Sequence, residues 1–145
     1  MNELQELRNR ALALLTRREH SRAELAARLA PHGTREDIET VLTGLEQQGL
    51  LSDARFAESY MRSHAPRLGA ARLRQTLRAK GVAGELIEAE VGELPDEIGL
   101  ARGIWNRKFG AAPNDAREWA KQARFLQGRG FSVEVIRKLL KEIGA

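Results

Sequence analysis

Apolar residues return along this chain at intervals of three and four, and hardly ever at two. Leu4, Leu7, Ala11, Leu14 and Leu15 trace one stripe across Glu3 to Arg17, the spacing of an amphipathic helix with one face on a core. The β-branched residues that favour strands are sparse: the five valines sit in no sustained alternation of apolar and polar positions. Ala, Leu, Arg, Glu and Gln dominate instead, and these side chains lose little freedom in a helix. The pattern predicts an all-α fold.

The stripes also repeat. Leu29, Leu77 and Leu126 each precede a glycine by four residues: Gly33, Gly81 and Gly130. Beyond the glycines, Ile38, Ile87 and Ile136 lie 49 residues apart, as do Leu42, Val91 and Leu140, and Leu45, Leu94 and Ile143. Upstream, Leu7, Phe56 and Trp105 keep the same period. One slot, Val41, Glu90 and Leu139, breaks the pattern in the middle copy alone. The glycines are 48 and then 49 residues apart, so the first copy lacks one residue just after its glycine. A unit of this length cannot bury its apolar face alone and stacks on its neighbours. Three tandem three-helix repeats are expected, at 1–51, 52–94 and 95–145, making nine helices in an elongated array.

Helix ends are written locally. Ser21 with Glu24 forms a capping box; Thr34 with Asp37 is a weaker cap, and Gly33 between them is expected to adopt the left-handed conformation that stops a helix. Ser52 caps a helix running to His64, because Pro66 disfavours helical geometry at Ala65. Leu68 and Gly69 turn into a helix from Ala70 to Lys80, followed by Ala83 to Leu94. The third repeat opens at Pro95 and Asp96, with helices from Glu97 to Phe109, from an Asp115 cap to about Gly128, and from Val133 to Ile143 after Ser132. Trp105 lies on the apolar register and Trp119 is seven residues before Leu126, so both read as core anchors rather than base-stacking platforms. Tyr60, four residues after Phe56, reads the same way.

Charge changes the picture. The net charge is only +4, from 24 basic and 20 acidic residues, but it is segregated. Arg62, Arg67, Arg72, Arg74, Arg78 and Lys80 fall within one stretch that holds no carboxylate, whereas residues 81–101 hold six acids and no Lys or Arg. Leu73 and Leu77 mark the apolar side of the basic helix, and Arg74 and Arg78 share its exposed side, with Arg67 and Arg72 adjoining from the turn. A helix apolar on one side and cationic on the other suits a polyanion, phosphate or acidic protein surface alike. Those six residues are the candidate binding set.

Catalytic constellations are missing. The chain has no cysteine and three histidines, His20, His32 and His64, all near turns and outside any metal-ligand spacing. His20 is expected to order the turn before the Ser21 cap. No phosphate-cradling glycine motif occurs. The reading is a non-enzyme without metal or cofactor. The first residues carry scattered charges without an apolar core, and no apolar run approaches the ~18 residues of a membrane span. A soluble, cytoplasmic, monomeric protein is expected.

Four segments carry a family resemblance: RREHSRAEL (Arg17 to Leu25), GLLSDARFAESYMRSH (Gly49 to His64), RLRQTLRAKGV (Arg72 to Val82) and FLQGRGFSVEVI (Phe125 to Ile136). Spread over nearly the whole chain, in order and spacing they resemble the RecX regulatory proteins of bacterial recombination. The resemblance implies tandem three-helix repeats in a curved molecule. It also implies modulation, generally inhibition, of the RecA recombinase by binding its filament on single-stranded DNA, in DNA repair and the SOS response. Two positions depart from the family: Thr34 stands where a bulky apolar residue is usual, and Gly128 interrupts the basic sequence before the last repeat's glycine. Local changes at helix ends are expected from both. An alternative is a free-standing nucleic-acid-binding module of helix-turn-helix type, although no helix carries a compact base-reading set. A pure protein scaffold would leave the cationic stretch without a role.

Overall fold

Small polar side chains and backbone-restricting residues set the helix ends in the computed structural model, which describes residues 2–94 and 96–144. Among the described residues it contains nine α-helices, two 3₁₀ turns and no strand. The helices are α1 (Glu3–Arg17), α2 (Arg22–Leu29), α3 (Arg35–Gln47), α4 (Asp53–His64), α5 (Ala70–Ala79), α6 (Gly84–Val91), α7 (Glu97–Lys108), α8 (Ala116–Gly128) and α9 (Val133–Gly144). The 3₁₀ turns, Ala30–His32 and Ala65–Arg67, extend α2 and α4. Each contains a proline, Pro31 or Pro66, which cannot donate to the preceding turn. The expected start of the third repeat at Pro95 lies outside the described residues.

The caps form as the sequence suggests. Ser21 Oγ accepts the Glu24 N–H at 3.0 Å while Glu24 Oε1 accepts the Ser21 N–H at 3.0 Å. Thr34, Ser52, Asp115 and Ser132 accept from the N–H three residues on. Asp53, in the first turn of α4, serves a different helix: its Oδ1 accepts the Arg22 N–H at 2.8 Å, satisfying an open donor at the start of α2.

Three local readings are corrected. Gly33 is extended (φ −170°), not left-handed, because α2 ends through its 3₁₀ turn instead of a left-handed stop. Its lack of a side chain serves packing: a Cβ there would lie 2.7 Å from Leu7 Cδ1. Gly81 and Gly130 do take the left-handed form, at φ 81° and 97°. Each is followed by a buried apolar residue, Val82 or Phe131, and this plug is the residue the first copy lacks. Trp119 is not a core anchor. It is 38% exposed, because it stands in the first turn of α8, two turns from buried Leu126, where the apolar side of the helix is left open. Tyr60 is half-buried and stacks on the His64 ring, centroids 4.0 Å apart.

The 49-residue register is a burial register. Leu7, Phe56 and Trp105 are buried, as are Ile38, Ile87 and Ile136, and Leu42, Val91 and Leu140. The weaker slot is Leu45, Leu94 and Ile143, buried only in the first copy.

Backbone proximity divides the chain into two units, residues 1–59 with 77–87 and residues 60–76 with 88–145. The middle repeat is thus shared between the units, with α4, α5 and α6 each contributing to both. In the first unit Leu7 and Ala11 of α1 pack with Leu25 and Leu29 of α2 and with Ile38, Val41, Leu42 and Leu45 of α3. In the second, Ala101, Ile104 and Trp105 of α7 pack with Leu126 of α8 and Ile136, Leu139 and Leu140 of α9. The buried Trp105 indole N–H donates to Gln122 Oε1 at 2.8 Å, so the polar edge of the anchor is satisfied.

Candidate nucleic-acid interface

In the second unit a backbone contact made possible by two glycines places the cations. The Gly69 N–H donates to the Arg129 carbonyl at 2.7 Å and the Ala71 N–H to the Gly130 carbonyl at 3.2 Å. A Cβ on Gly69 would stand 2.5 Å from the Gly130 carbonyl, and one on Gly130 would stand 2.2 Å from Arg72 Cβ. Only glycine permits so close an approach. The turn before α5 therefore lies against the turn between α8 and α9.

That approach gathers arginines from both turns. Arg67, Arg72 and Arg129 line a cavity of 540 Å³ together with His64, Leu68 and Gly128, and no carboxylate lines it. Arg72 Nη1 donates to the Gly128 carbonyl at 3.4 Å, Arg129 Nη1 to the Arg67 carbonyl at 3.1 Å and Arg67 Nη2 to the Ser63 carbonyl at 3.0 Å. Carbonyls orient the guanidiniums without cancelling their charge, which leaves it available to an anion. Arg129 also sits over the Phe125 ring, 5.1 Å from its centroid.

The remaining members of the candidate set divide. Arg74 is turned away to Glu88: its Nε donates to both carboxylate oxygens, at 2.8 and 3.2 Å. The Glu88 carboxylate holds the Arg74 pKa above its ordinary value. Arg62 on α4 is exposed and forms no ion pair among the described residues. In the first unit Arg78 is likewise exposed, whereas Lys80 Nζ lies 3.1 Å from Glu24 Oε2. The expected grouping of Arg67, Arg72, Arg74 and Arg78 as one cationic surface is thus revised in its membership. Arg67 and Arg72 come together, with Arg129 as their third cation and Arg74 bound to an acid.

Lys80 belongs to a turn contact in the first unit. Ser21 Oγ donates to the Lys80 carbonyl at 2.7 Å, and a Cβ on Gly81 would stand 2.6 Å from Ala23 Cβ. Lys80 and Gly81 are 49 residues before Arg129 and Gly130, and in each unit a Cβ on that glycine would strike the Cβ of a residue near the start of the facing helix, Ala23 or Arg72. The same turn-on-turn contact is therefore built once in each unit. Glu24 sits under it, gripped by Arg18 and Lys80. Burial would raise its pKa, but Arg18, the Ser21 N–H and Lys80 outweigh that and lower it to about 2.

Sequence reasoning missed Arg129, whose companion cations Arg67 and Arg72 are more than fifty residues away in the chain. It also passed over Arg117, Lys121 and Arg124 on α8, all exposed and without an ion pair among the described residues. Their i, i+4, i+7 spacing puts them on one face, a signal the sequence does carry.

Three models of RecX domains match this chain in order: the first three-helix domain at residues 8–45, the second at 52–90 and the third at 96–140. The chain belongs to the RecX family. The regulatory protein RecX of Leptothrix cholodnii is 48% identical over 137 residues, covering 93% of this chain and 87% of that protein. That of Ralstonia nicotianae is 42% identical over 137 residues, covering 93% and 86%. Among solved structures, the RecX of Lactobacillus salivarius superposes with a TM-score of 0.76 at 22% identity, covering 98% of this chain and 97% of that one. A second crystal structure of a regulatory protein RecX gives 0.83 at 24% identity, covering 96% and 73%. At these identities the structural matches establish the fold, all-helical with three RecX three-helix domains. No helix among the described residues is long and apolar enough to cross a membrane.

Proposed function

We propose that this protein is a cytoplasmic, monomeric, non-enzymatic regulator of RecA. It binds the RecA filament on single-stranded DNA and inhibits recombinase and ATPase activity, by blocking filament extension or promoting disassembly, in DNA repair and SOS control. The observation that carries the reading is the ordered match of three RecX domains across the chain, beside relatives named as regulatory proteins. Of the candidate set Arg62, Arg67, Arg72, Arg74, Arg78 and Lys80, the cations without a carboxylate partner supply the contact, with Arg129 joining Arg67 and Arg72, while Arg74 and Lys80 are held by Glu88 and Glu24. Three repeats, bounded near 51 and 94, let one molecule engage more than one recombinase subunit, so weak linked contacts accumulate.

The test is RecA ATPase rate and filament lifetime on single-stranded DNA as the protein is titrated in. Both fall with the parent protein. The double variant Arg67→Glu, Arg72→Glu stays folded, since exposed cations contribute about 0–1 kcal/mol each and both Cβ atoms remain, but loses the inhibition. Unchanged RecA activity with the parent, together with tight binding to one DNA sequence, would sink this reading and favour a free-standing helix-turn-helix module.

A further inference from the structure

The first unit carries a second arginine-lined cavity that the proposed interface does not use. It measures 310 Å³ and lies between the C-terminal half of α1 and the end of α2 with its 3₁₀ turn. Arg10 and Arg17 reach it from α1, Arg28 from α2 and His32 from the turn, over a floor that includes Leu14 and buried Leu29. No carboxylate lines it. Arg10, Arg17 and Arg28 are all exposed, and none forms an ion pair among the described residues.

Arg18, Arg22, Arg55, Arg74 and Arg102 are each bound to a glutamate, whereas Arg10, Arg17 and Arg28 are not and share one space. Around this cavity three guanidiniums face one space with nothing negative to offset their repulsion. The helical register makes the convergence deliberate in geometry: Arg10, Leu14 and Arg17 are at i, i+4 and i+7 on α1, and Arg28 and His32 are four residues apart across from them. A guanidinium is a planar fork of donors that matches tetrahedral oxyanions two oxygens at a time. The leucine floor keeps water from one side, which strengthens such contacts. The space would hold roughly ten waters, enough for a phosphate with part of its hydration shell.

We infer that this cavity is a phosphate-binding site, holding a phosphate group through Arg10, Arg17 and Arg28 with His32 as a further donor. Two sources share that chemistry, a free polyphosphate or nucleotide and a phosphodiester of a nucleic-acid strand. The inference stands apart from RecA inhibition, and its test uses no recombinase.

Full-length, isotopically labelled protein is titrated with tripolyphosphate, and separately with a mixed-sequence single-stranded 12-mer, while backbone amide shifts are followed. Ala13, Leu14, Leu29 and His32 should move with at least one probe, and the affinity read from them should fall at least about tenfold in Arg10→Gln, Arg28→Gln. With the 12-mer the log–log salt slope at these amides should also shrink by about 1.4, two contacts at about 0.7 each. Movement with both probes assigns a site for the phosphate group itself; movement with the 12-mer alone assigns it to a strand. A variant with Arg10→Lys and Arg28→Lys keeps the charge and should retain more of the binding, which separates the site from a folding defect. Three results would overturn the inference: no movement with either probe, movement indifferent to the double Gln change, or movement with polyglutamate in place of both phosphate probes.

Discussion

Glu24 holds three partners at once: its own N-cap N–H, the Arg18 guanidinium and the Lys80 ammonium. Its pKa of about 2 against an ordinary 4.5 fixes the sign of its pH dependence. The folded state favours the carboxylate, so its contribution is complete above about pH 4.5 and is lost as pH falls towards 2. Glu24→Gln is therefore expected to lower stability at pH 7 by about 1–2 kcal/mol, solvent screening having reduced the full linkage value. The variant should also flatten the acid limb of the stability curve between those pH values, as chemical denaturation at stepped pH would read. An unchanged acid limb would mean the three contacts do not persist in solution. His20 acts in a separate window. Buried beside Arg18, with its Nδ1 3.0 Å from the Arg18 carbonyl, it has its pKa pushed down by burial from 6.5. The neutral ring is the one the fold prefers, and its contribution fades only as pH drops below that ordinary value. The turn role expected of His20 is thus physical: an uncharged ring packed under the cap.

At the scale of elements, the turn-on-turn contact is the recurring joint, and its glycines can be tested against a neighbour. Gly130 is left-handed and a Cβ there would strike Arg72, whereas Gly128, at the end of α8, has no atom within 4 Å of its would-be Cβ. Gly130→Ala should destabilise by more than about 1 kcal/mol, while Gly128→Ala should be neutral or stabilise by up to about 1 kcal/mol. Urea melts would show a lowered midpoint for Gly130→Ala and an unchanged or raised one for Gly128→Ala. Equal shifts would mean that the close approach relaxes freely. Much of the fold was legible here because a 3.6-residue period and a cap three residues from its partner are local facts. Ile38, Ile87 and Ile136 announced their burial through spacing alone. Gly33 did not, because Leu7, far away in sequence, decides why a glycine stands there. The meeting of Arg67 and Arg72 with Arg129 was hidden for the same reason: it depends on which two turns pack together. Trp119 failed differently, since a helical register says which side a residue faces but not how far along the helix the neighbours extend.

For the whole molecule, charge segregation along the sequence is only partly kept in space. The acidic run after Gly81 supplies Glu88 to Arg74, and the first repeat supplies Glu24 to Lys80. Two of the six candidate cations are therefore committed before any polyanion arrives. A cation held by a carboxylate neutralises no phosphate and so releases no counterion from the strand, adding little to the salt dependence of binding. Glu88 is 57% exposed at its side chain, so Glu88→Gln should leave stability within about 0.5 kcal/mol of the parent, as surface changes usually do. It should free Arg74 for phosphate and steepen the log–log salt slope by about 0.7. Arg74→Gln in the parent background should barely alter the slope, and in the Glu88→Gln background it should cancel the gain. Fluorescence anisotropy of a labelled mixed-sequence strand, measured over a series of salt concentrations for all four proteins, reads every term of this cycle. Were Arg74→Gln alone to shallow the slope by the full increment, Arg74 would already be exchanging Glu88 for phosphate in the parent. The carboxylate would then be a placeholder that the strand displaces, and the basic helix would act with all its cations.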